Sequence, residues 1–465
     1  GFAPASLMIP EVAFARRGAE TWITVNAAVR GGQDPDLTRA RIALSSRLRD
    51  EPWFCFEQPD REHTALAALG CVHELTASGE SRFRELDARW RELSSHARDD
   101  GASGPPGAGL VAVGGFAFAA QGGDSPAWTG FAPASLMIPE VAFARRGAET
   151  WITVNAAVRG GQDPDLTRAR IEARLESLSE RPLPLLDPAP TGRFRVHSPM
   201  PASHYEEAVA RAVERIRAGE AQKLVLAREV RVQAPSDHDA AAVFDVLRGG
   251  FSSCFVYAVG RGEATFIGAT PELLVRRQGQ RASTVALAGS TRRSADPSVD
   301  DHLGEALLRD DKNRHENLIV AQRIAKALAP YSLWVTVAPE PVLVRVANIQ
   351  HLAAPIRAQL KSPVGVLELA GALHPTPAVG GEPDAVAQRL IPALEGLDRG
   401  WYAGTVGWTD TGLDGEFCVT LRCALLRGRE ASCFAGCGIV ADSDPASELA
   451  ETETKLQALL PVLAG

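Results

Sequence analysis

Residues 255–288 read FVYAVGRGEATFIGATPELLVRRQGQRASTVALA, and this stretch decides the fold class. It holds three runs rich in β-branched and aromatic residues, at 255–259, 264–277 and 283–288, separated only by short glycine-containing turns. Strands that follow one another without intervening helices pair antiparallel, whereas strictly alternating strands and helices indicate a parallel sheet. The stretch therefore predicts an α+β fold with large, mainly antiparallel sheets.

The sequence on either side adds helices and further strands. Amphipathic spacing predicts helices at 81–97, 203–219, 240–248 and 310–328. Ser203 and Glu206 have the spacing of a capping box, and Leu318 falls on the apolar side of the last helix. Strands are predicted at 223–230, 402–408 and 416–426, followed by a glycine turn at 435–438 and a terminal helix. No Gly-x-Gly-x-x-Gly motif opens a helix after a strand, so no dinucleotide-binding domain is expected.

Composition limits the classes of partner. The 465 residues carry a net charge of −8 and no basic run interleaved with aromatic residues, which argues against a nucleic-acid or anionic-membrane surface. The seven cysteines are scattered and form no Cys-x-x-Cys pair, so neither a disulfide framework nor a zinc site is indicated. The most apolar stretch, near 109–120, is far shorter than the roughly 20 residues of a bilayer-spanning helix. We expect a cytoplasmic protein.

An exact repeat bears on the domain boundaries. Residues 1–42 recur unchanged as residues 130–171. Structural repeats diverge in sequence and recur in three or more copies, and neither is true here. We interpret residues 1–42 as an artefactual duplicate, residues 43–199 as the N-terminal part of the fold, and residues 200–465 as its catalytic part within one compact domain.

Four charged residues stand in unusual surroundings. Lys223 begins an apolar strand, so it either extends its ammonium out of the strand end or is a buried amine able to act as a base. Glu272 follows Pro271 and is either a strand-edge charge or a buried general acid. Glu316 belongs to the helix at 310–328, where a solvated face is the alternative. Arg422, flanked by apolar residues, requires a carboxylate from the protein or from a ligand.

The C-terminal segment offers a set of groups suited to a metal and an anion. Glu448, Glu451 and Lys455 share one face of the predicted helix because they lie three and seven residues apart. Magnesium prefers carboxylate oxygens, and the glycines at 436 and 438 allow backbone N–H groups to approach an anion. The alternative is a solvated terminal helix.

These segments together resemble the chorismate-utilising enzymes. The resemblance is specific from about residue 200 to 460 and weaker from 44 to 199. It is carried by Gly-Ala-Thr-Pro-Glu-Leu-Leu (268–274), Ala-Leu-Ala-Gly-Ser (286–290), Asn-Arg-His-Glu (313–316), Gln-His-Leu (350–352), His-Pro-Thr-Pro-Ala-Val-Gly-Gly (374–381), Arg-Gly-Trp-Tyr-Ala-Gly (399–404), Ala-Gly-Cys-Gly-Ile-Val (435–440) and the spacing of Glu448, Glu451 and Lys455. The resemblance implies two large, mainly antiparallel sheets packed together with helices outside.

Within that family the chain is most similar to the isochorismate synthases. The segment 374–381 is like theirs, whereas anthranilate, aminodeoxychorismate and salicylate synthases usually have a Phe-Pro-led version ending in Ser-Gly. Lys223 stands where the water-adding members keep a lysine. Ala354 departs from the family, where threonine is more usual, and Cys437 replaces a usual alanine.

The resemblance implies a role for each candidate residue. The substrate is chorismate, Lys223 is the base that activates water for attack at C2, and Glu272 is the acid that protonates the departing C4 hydroxyl. Mg²⁺ is implied as the cofactor, and a monomer is expected. Glu316 and Glu451 are expected to hold the metal, with Glu448 in support. The expected substrate contacts are Thr270, Gly289, Ser290, His351, Tyr402, Arg422, Gly436, Gly438 and Lys455.

Three other functions stay open on sequence grounds. A salicylate synthase would share the first step and then eliminate pyruvate. An anthranilate- or aminodeoxychorismate-synthase-like enzyme would use ammonia or a glutaminase partner. A catalytically inactive chorismate-binding protein is disfavoured, because Lys223, Glu272, Glu316 and Glu451 are all present.

Overall fold

The computed structural model describes residues 20–30, 39–48, 50–99, 104–147, 149–159, 163–178, 183–187, 190–346 and 349–465. Most strands of these ranges are short and apolar, and several glycine-containing turns join neighbours into hairpins. The strands are β1 (Glu20–Arg30), β2 (Trp53–Gln58), β3 (Thr64–Leu69), β4 (His73–Ala77), β5 (Ala97–Asp99), β6 (Val111–Phe116), β7 (Ala134–Ile138), β8 (Val141–Arg146), β9 (Glu149–Arg159), β10 (Arg195–His197), β11 (Lys223–Gln233), β12 (Phe255–Arg261), β13 (Ala264–Thr270), β14 (Leu273–Gln278), β15 (Arg281–Arg292), β16 (Ser332–Val337), β17 (Val342–Arg345), β18 (Ile349–Leu360), β19 (Gly381–Glu382), β20 (Thr405–Asp410), β21 (Gly415–Val419), β22 (Cys423–Arg427) and β23 (Glu430–Ile439).

Helices connect these strands. Several begin at an aspartate whose carboxylate accepts hydrogen bonds from the first backbone N–H groups, as Asp239, Asp310 and Asp444 do. The helices are α1 (Arg39–Ser46), α2 (Arg82–His96), α3 (Pro164–Glu176), α4 (Ala202–Arg217), α5 (Ala240–Gly250), α6 (Pro297–Arg309), α7 (Asp311–Leu328), α8 (Val366–Leu373), α9 (Asp384–Glu395), α10 (Pro445–Leu456) and α11 (Leu460–Ala464).

The strands form two large sheets. In the 13-stranded sheet the order is β10-β11-β23-β22-β13-β12-β2-β3-β8-β9-β1-β5, with β19 beside β11. In the 10-stranded sheet the order is β16-β18-β15-β14-β21-β20-β6-β7-β4, with β17 beside β18. Among the described strands only β1 and β5 pair parallel. The predicted α+β fold with two large, mainly antiparallel sheets is confirmed.

The core follows the two-residue period of the strands. In β2, Phe54 and Phe56 join a cluster that draws on both sheets, whereas Trp53 and Cys55 on the other face join a second cluster with α5 and α11. Both faces of the 13-stranded sheet are therefore covered, which explains why its strands read as continuous apolar runs.

The prediction of one strand at 264–277, and of another at 416–426, is wrong. Pro271 has no N–H to donate to a ladder, and the chain there leaves β13 of one sheet and enters β14 of the other. A matching crossing leads from β21 to β22, where Arg422 has a left-handed φ of 46°. Because β13 pairs with β22 and β14 pairs with β21, the two crossings lie side by side.

Three smaller predictions are also wrong. Residues 435–438 form no turn, because they lie inside β23. Ser203 does not cap its helix, since α4 begins at Ala202 after Pro201. Leu318 is 50% exposed, because the buried face of α7 is formed by Asn317, Val320 and other residues at the same helical phase.

Part of the duplicated segment lies in the described ranges. Strand β1 pairs antiparallel with β9, which has the same eleven-residue sequence, and so adds to the sheet beside its counterpart. The remainder, residues 1–19 and 31–38, lies outside the described residues, and the interpretation of residues 1–42 as an artefact stays a prediction. Within the described ranges, none of the helices combines the length and apolar character needed to cross a bilayer.

Candidate active site

A polar pocket opens where the two crossings meet β23, β15 and the helices α7 and α10. Twelve of the fourteen candidate residues line this pocket. They are Glu272, Gly289, Ser290, Glu316, His351, Tyr402, Arg422, Gly436, Gly438, Glu448, Glu451 and Lys455. Lys223 and Thr270 are outside the lining and contact residues that belong to it. Residues more than 200 positions apart in the chain thus converge on one place.

The two crossings place the Glu272 carboxyl and the Arg422 guanidinium in the pocket wall. The Val419 N–H donates to Glu272 O (2.9 Å), and the Ala269 N–H donates to Arg422 O (3.1 Å), so a backbone hydrogen bond ties each crossing to the strand end beside the other crossing. An arginine in the left-handed region is strained relative to the β region, and a strained backbone at a pocket wall indicates a functional constraint. Arg422 was predicted to lie within a strand, and it lies instead in the break between two strands.

Lys223 and Glu316 form a buried ion pair. Lys223 is 0% exposed at the start of β11, and its Nζ lies 2.8 Å from Glu316 Oε1. No protein acceptor in the described ranges receives a well-directed hydrogen bond from this ammonium, although the carboxylate is close. Only glycine fits at position 438, because a Cβ there would lie 2.8 Å from Lys223 Cε and overlap Glu316 Oε1. The amine is therefore buried and incompletely satisfied, as expected of a reactive lysine.

Glu272 keeps a substantial protonated fraction near neutral pH. Burial raises its pKa to about 7, although Lys223 and Arg422 oppose the shift. Thr270 accepts a hydrogen bond from the Glu272 N–H (3.3 Å) and so holds the crossing in place. Thr270 is a supporting residue in this geometry and does not line the pocket. A carboxyl group with a pKa near 7 suits a general acid at physiological pH.

A bulge in β15 directs Ser290 into the pocket. The register with β18 shifts between Leu287 and Ser290, and Gly289 supplies the left-handed φ of 80° that the bulge requires. Asn317 of α7 fixes the bulge from behind by donating to the carbonyls of Ala286, Ala288 and Leu352 at 3.0 to 3.2 Å. This amide was not recognised in the sequence, although a buried asparagine within an amphipathic helix is a usable signal.

Arg422 and His351 meet at one side of the pocket. Arg422 donates to His351 Nε2 at 3.2 Å, so the neutral imidazole carries its proton on Nδ1. Burial, together with Arg422, lowers the pKa of His351 to about 3, which keeps it uncharged. Arg422 has no carboxylate partner among the described residues, and its Nε has no acceptor there. A buried guanidinium in this state is suited to a carboxylate of the ligand.

Glu451 and Lys455 lie on one face of α10, as their spacing predicted. Lys455 Nζ lies 2.7 Å from Glu451 Oε1 and 2.8 Å from Gly436 O, and the Ser290 hydroxyl donates to the same Glu451 oxygen at 3.0 Å. Burial alone would raise the pKa of Glu451, but Lys455 and Ser290 outweigh it and lower the pKa to about 2. Glu451 is therefore an ionised carboxylate across the working pH range.

Glu448 and Glu451 crowd negative charge at the pocket mouth. With the Cys437 thiol their oxygens lie within 4.8 Å of one another, and burial and Glu451 raise the pKa of Glu448. Lys312 of α7 partly compensates at 3.4 Å from Glu448 Oε1. Glu316 is outside this cluster but lines the same pocket. Three carboxylates facing one space form an oxygen-donor set that fits Mg²⁺.

A buried ion pair behind the pocket was not singled out from the sequence. Arg399 pairs with Glu395, donates to the carbonyls of Val379 (2.8 Å) and Val225 (2.9 Å), and Glu395 accepts from the Ala227 N–H at 2.6 Å. Both Val379 and Val225 line the pocket. The four-residue spacing of Glu395 and Arg399 was the signal available in the sequence.

His374 has a structural role. Its Nε2 lies 3.1 Å from Phe118 O, and burial lowers its pKa to about 3, so the ring is neutral. The segment that begins there continues to Ala378 and Val379 at the pocket wall and to β19, which pairs with the first residues of β11. The segment 374–381 therefore positions Lys223 as well as the wall beside Glu272.

Comparisons with known proteins agree with this geometry. Residues 42–464 match the family model described as chorismate binding enzyme. The chain is 38% identical over 418 residues to the salicylate biosynthesis isochorismate synthase of Pseudomonas aeruginosa, covering 90% of this chain and 86% of the relative. It is 31% identical to the isochorismate synthase MenF of Bacillus subtilis, covering 89% and 88%. The structure of MenF, the menaquinone-specific isochorismate synthase from Escherichia coli, superposes with a TM-score of 0.79 at 27% identity and 96% coverage of both chains.

Proposed function

The chain belongs to the family of chorismate binding enzymes, and from this membership we propose that it converts chorismate into isochorismate. The observation that carries the proposal is that a buried amine and a carboxyl group with a raised pKa occur at the same pocket. The amine is Lys223, and the carboxyl group is Glu272, whose pKa is about 7. The cations Arg422 and Lys455 line this pocket. Related proteins named isochorismate synthase support the choice of reaction.

The proposed reaction needs one base and one acid. In its neutral amine form, Lys223 accepts a proton from water as the water oxygen bonds to C2 of the ring. The double bonds shift, the bond from C4 to its hydroxyl breaks, and Glu272 gives the proton with which that group leaves as water. One water enters and one leaves, so substrate and product are isomers. Lys223 and Glu272 then exchange protons with solvent to regain their starting states.

Four residues are proposed to hold the two carboxylates of the substrate. Arg422 lacks a carboxylate partner among the described residues, and Lys455 points its ammonium into the same pocket. Gly436 and Gly438 lie on β23 beyond Phe434, the last residue that pairs with β22, so this part of the strand is open to the pocket on that side. Ser290, His351 and Tyr402 complete the polar wall. A dianion is thereby fixed between base and acid, which supplies the orientation that catalysis requires.

We propose that Glu316 and Glu451 hold Mg²⁺, with Glu448 in support. When bound, the ion would neutralise a substrate carboxylate and withdraw charge from the ring. Glu451 is ionised and Glu448 is crowded by like charge, so both favour a nearby cation. Glu316 would then be shared between the cation and Lys223, which lessens the hold of this carboxylate on the amine.

A single assay tests the reaction and separates its rivals. The protein is incubated with chorismate and MgCl₂ in H₂¹⁸O, and the product is identified by mass spectrometry and NMR. Isochorismate two mass units heavier than unlabelled chorismate is expected, because the C2 hydroxyl comes from solvent. Salicylate with pyruvate would identify a salicylate synthase, and product formed only with ammonia would identify an anthranilate-type enzyme. Recovery of unchanged chorismate would reject the assignment.

We further propose that the protein works in the cytoplasm as a monomer. The net charge of −8 and the scattered free cysteines fit a reducing compartment without a membrane or nucleic-acid partner. Size-exclusion chromatography with light scattering tests the oligomeric state, and a mass near 99 kDa, about twice the 49.5 kDa chain, would contradict it.

A further inference from the structure

A second cavity lies on the other side of the segment that walls the active site. It has a volume of about 720 Å³ and is formed by the start of α2, residues 118–125, the cis-linked pair His374 and Pro375, and the end of α9 with residues 395–400. It shares no lining residue with the active-site pocket. A cavity of this size accommodates a small organic molecule.

Arg82 is a buried cation on the wall of this cavity. It is 4% exposed, and its guanidinium donates to the carbonyls of Gly79 (3.3 Å), Ala117 (3.2 Å) and Phe118 (3.5 Å). No carboxylate within the described residues forms an ion pair with it, and its Nε has no acceptor there. Burying a charge without a counter-charge is costly, so the site favours an anion.

The acidic residues of the cavity are either satisfied elsewhere or face solvent. Glu395 is paired with Arg399, and Asp398 accepts hydrogen bonds from the backbone N–H groups of Ser125 (2.7 Å) and Gly400 (3.1 Å). Glu80 and Asp124 are exposed at the rim. Among the described residues, Glu80 at the exposed rim acts on Arg82 through its charge without forming an ion pair, so the Arg82 guanidinium remains available to a ligand.

Aromatic rings form the wall next to this charge. The Phe83 and His374 ring centroids are 5.6 Å apart, and those of Phe118 and His374 are 6.3 Å apart. His374 is neutral, so the three rings form an uncharged, largely apolar surface. Phe83 stacks on Phe116 at 3.9 Å, and the Arg82 guanidinium lies 5.0 Å from the centroid of the Phe83 ring. An aromatic wall beside one buried guanidinium matches a ligand with an aromatic ring and one negative group.

We infer that this cavity is a second binding site, for a small aromatic carboxylate. The carboxylate meets Arg82 and the ring packs against the wall that Phe83, Phe118 and His374 form. The site is connected to the active site, because His374 begins the segment that continues to Ala378 and Val379 in the active-site wall. Arg399 lines the cavity and donates to Val379 O at 2.8 Å. An occupant therefore changes turnover without competing with the substrate.

Benzoate binding to the full chain tests this site by calorimetry. Five proteins are compared: the wild type, Arg82→Gln, Ala119→Trp at the exposed rim of the cavity, Arg84→Gln on the exposed face of the same helix, and Arg422→Gln in the active site. Circular dichroism and thermal unfolding establish which variants are folded. Because Arg82 anchors three carbonyls and its replacement can destabilise α2, Ala119→Trp provides an independent block of the cavity.

The expected result is a benzoate site whose Kd rises at least tenfold in Arg82→Gln and in Ala119→Trp. Arg84→Gln and Arg422→Gln are expected to retain it. Wild-type affinity in folded Ala119→Trp, binding lost only in Arg422→Gln, or no binding at all would each overturn the inference. In steady-state assays benzoate is expected to be noncompetitive with chorismate, and purely competitive behaviour would also overturn it. The calorimetric result does not depend on the proposed reaction.

Discussion

Lys223 and Glu316 approach to 2.8 Å from different elements, β11 and α7, because Gly438 on the neighbouring strand β23 leaves room for both side chains. Lys223 does not itself line the pocket, but its partner Glu316 does. A strand glycine, an acid on a helix and a buried amine thus form one functional unit.

Gly438→Ala is expected to abolish most of the turnover. Its Cβ would lie 2.8 Å from Lys223 Cε and 3.2 Å from Nζ and would overlap Glu316, so the pair must separate. We expect kcat to fall at least tenfold with secondary structure retained, measured by the chorismate assay and circular dichroism. Gly249→Ala, where a Cβ meets nothing within 4 Å, is the matched control. Wild-type turnover in Gly438→Ala would mean that the pair is not needed.

Lys223→Ala is expected to remove the base that activates water. General bases typically contribute about 10²- to 10⁴-fold, so kcat should fall by that order while the substrate still binds. Binding of chorismate by calorimetry and product formation in H₂¹⁸O measure the two effects separately. Lys361→Ala, at an exposed position, controls for the loss of a lysine. Turnover equal to the wild type would assign the base elsewhere.

Ionisation of Glu272 is expected to limit activity at alkaline pH. The acid must be protonated to act, and its pKa is about 7, so kcat/KM is expected to fall as pH rises above 7. Glu272→Gln keeps the shape of the side chain and removes its ionisable proton. The residual kcat/KM of this variant should no longer fall as pH rises above 7. A pH–rate profile of both proteins is the measurement, with the exposed Glu263→Gln as the control. An unchanged alkaline limb in Glu272→Gln would assign it to another group.

The same carboxyl also makes the stability of the fold decrease as pH rises. Folding raises its pKa from 4.5 to about 7, so its contribution is complete below pH 4.5 and is lost as pH rises through 7. At about 1.4 kcal/mol per pH unit, the loss amounts to about 3 kcal/mol. Glu272→Gln is therefore expected to be more stable than the wild type at pH 8 and similar at pH 4.5. Denaturant unfolding at both pH values measures this, and a destabilised variant at pH 8 would contradict it.

The sequence predicted the fold class because its signals are local. Runs of β-branched residues and helical periodicity depend on neighbours in the chain, and they indicated the principal helices and the antiparallel strands. The two crossings were not predicted, because a strand that changes sheet continues the same apolar pattern on both sides. Pro271 was the available signal at one crossing, since proline cannot donate to the ladder. At the other crossing Arg422, a charge inside an apolar run, was seen as a ligand contact and not as a break.

The candidate site was predicted mainly through resemblance, and the structure brings nearly all of its residues together. The spacing of Glu448, Glu451 and Lys455 did predict one helix face, because helical geometry is local. Asn317, Lys312 and the pair of Glu395 with Arg399 were missed, since their roles depend on partners distant in the chain. The assignment of each residue to base, acid, substrate or metal stays a prediction.

Removal of the metal ligands is expected to separate Glu451 from Glu448. Glu451 is ionised, whereas the pKa of Glu448 is raised, so Glu451 is the stronger candidate for direct contact with Mg²⁺. Glu451→Gln and Glu316→Gln are expected to weaken Mg²⁺ binding at least tenfold, and Glu448→Gln less. Calorimetric titration with MgCl₂ measures this without turnover, and Glu453→Gln, on an exposed face of α10, is the control. If Glu448→Gln caused the largest loss, the two glutamates would exchange roles, because the carboxylate nearest the cation contributes most to its affinity.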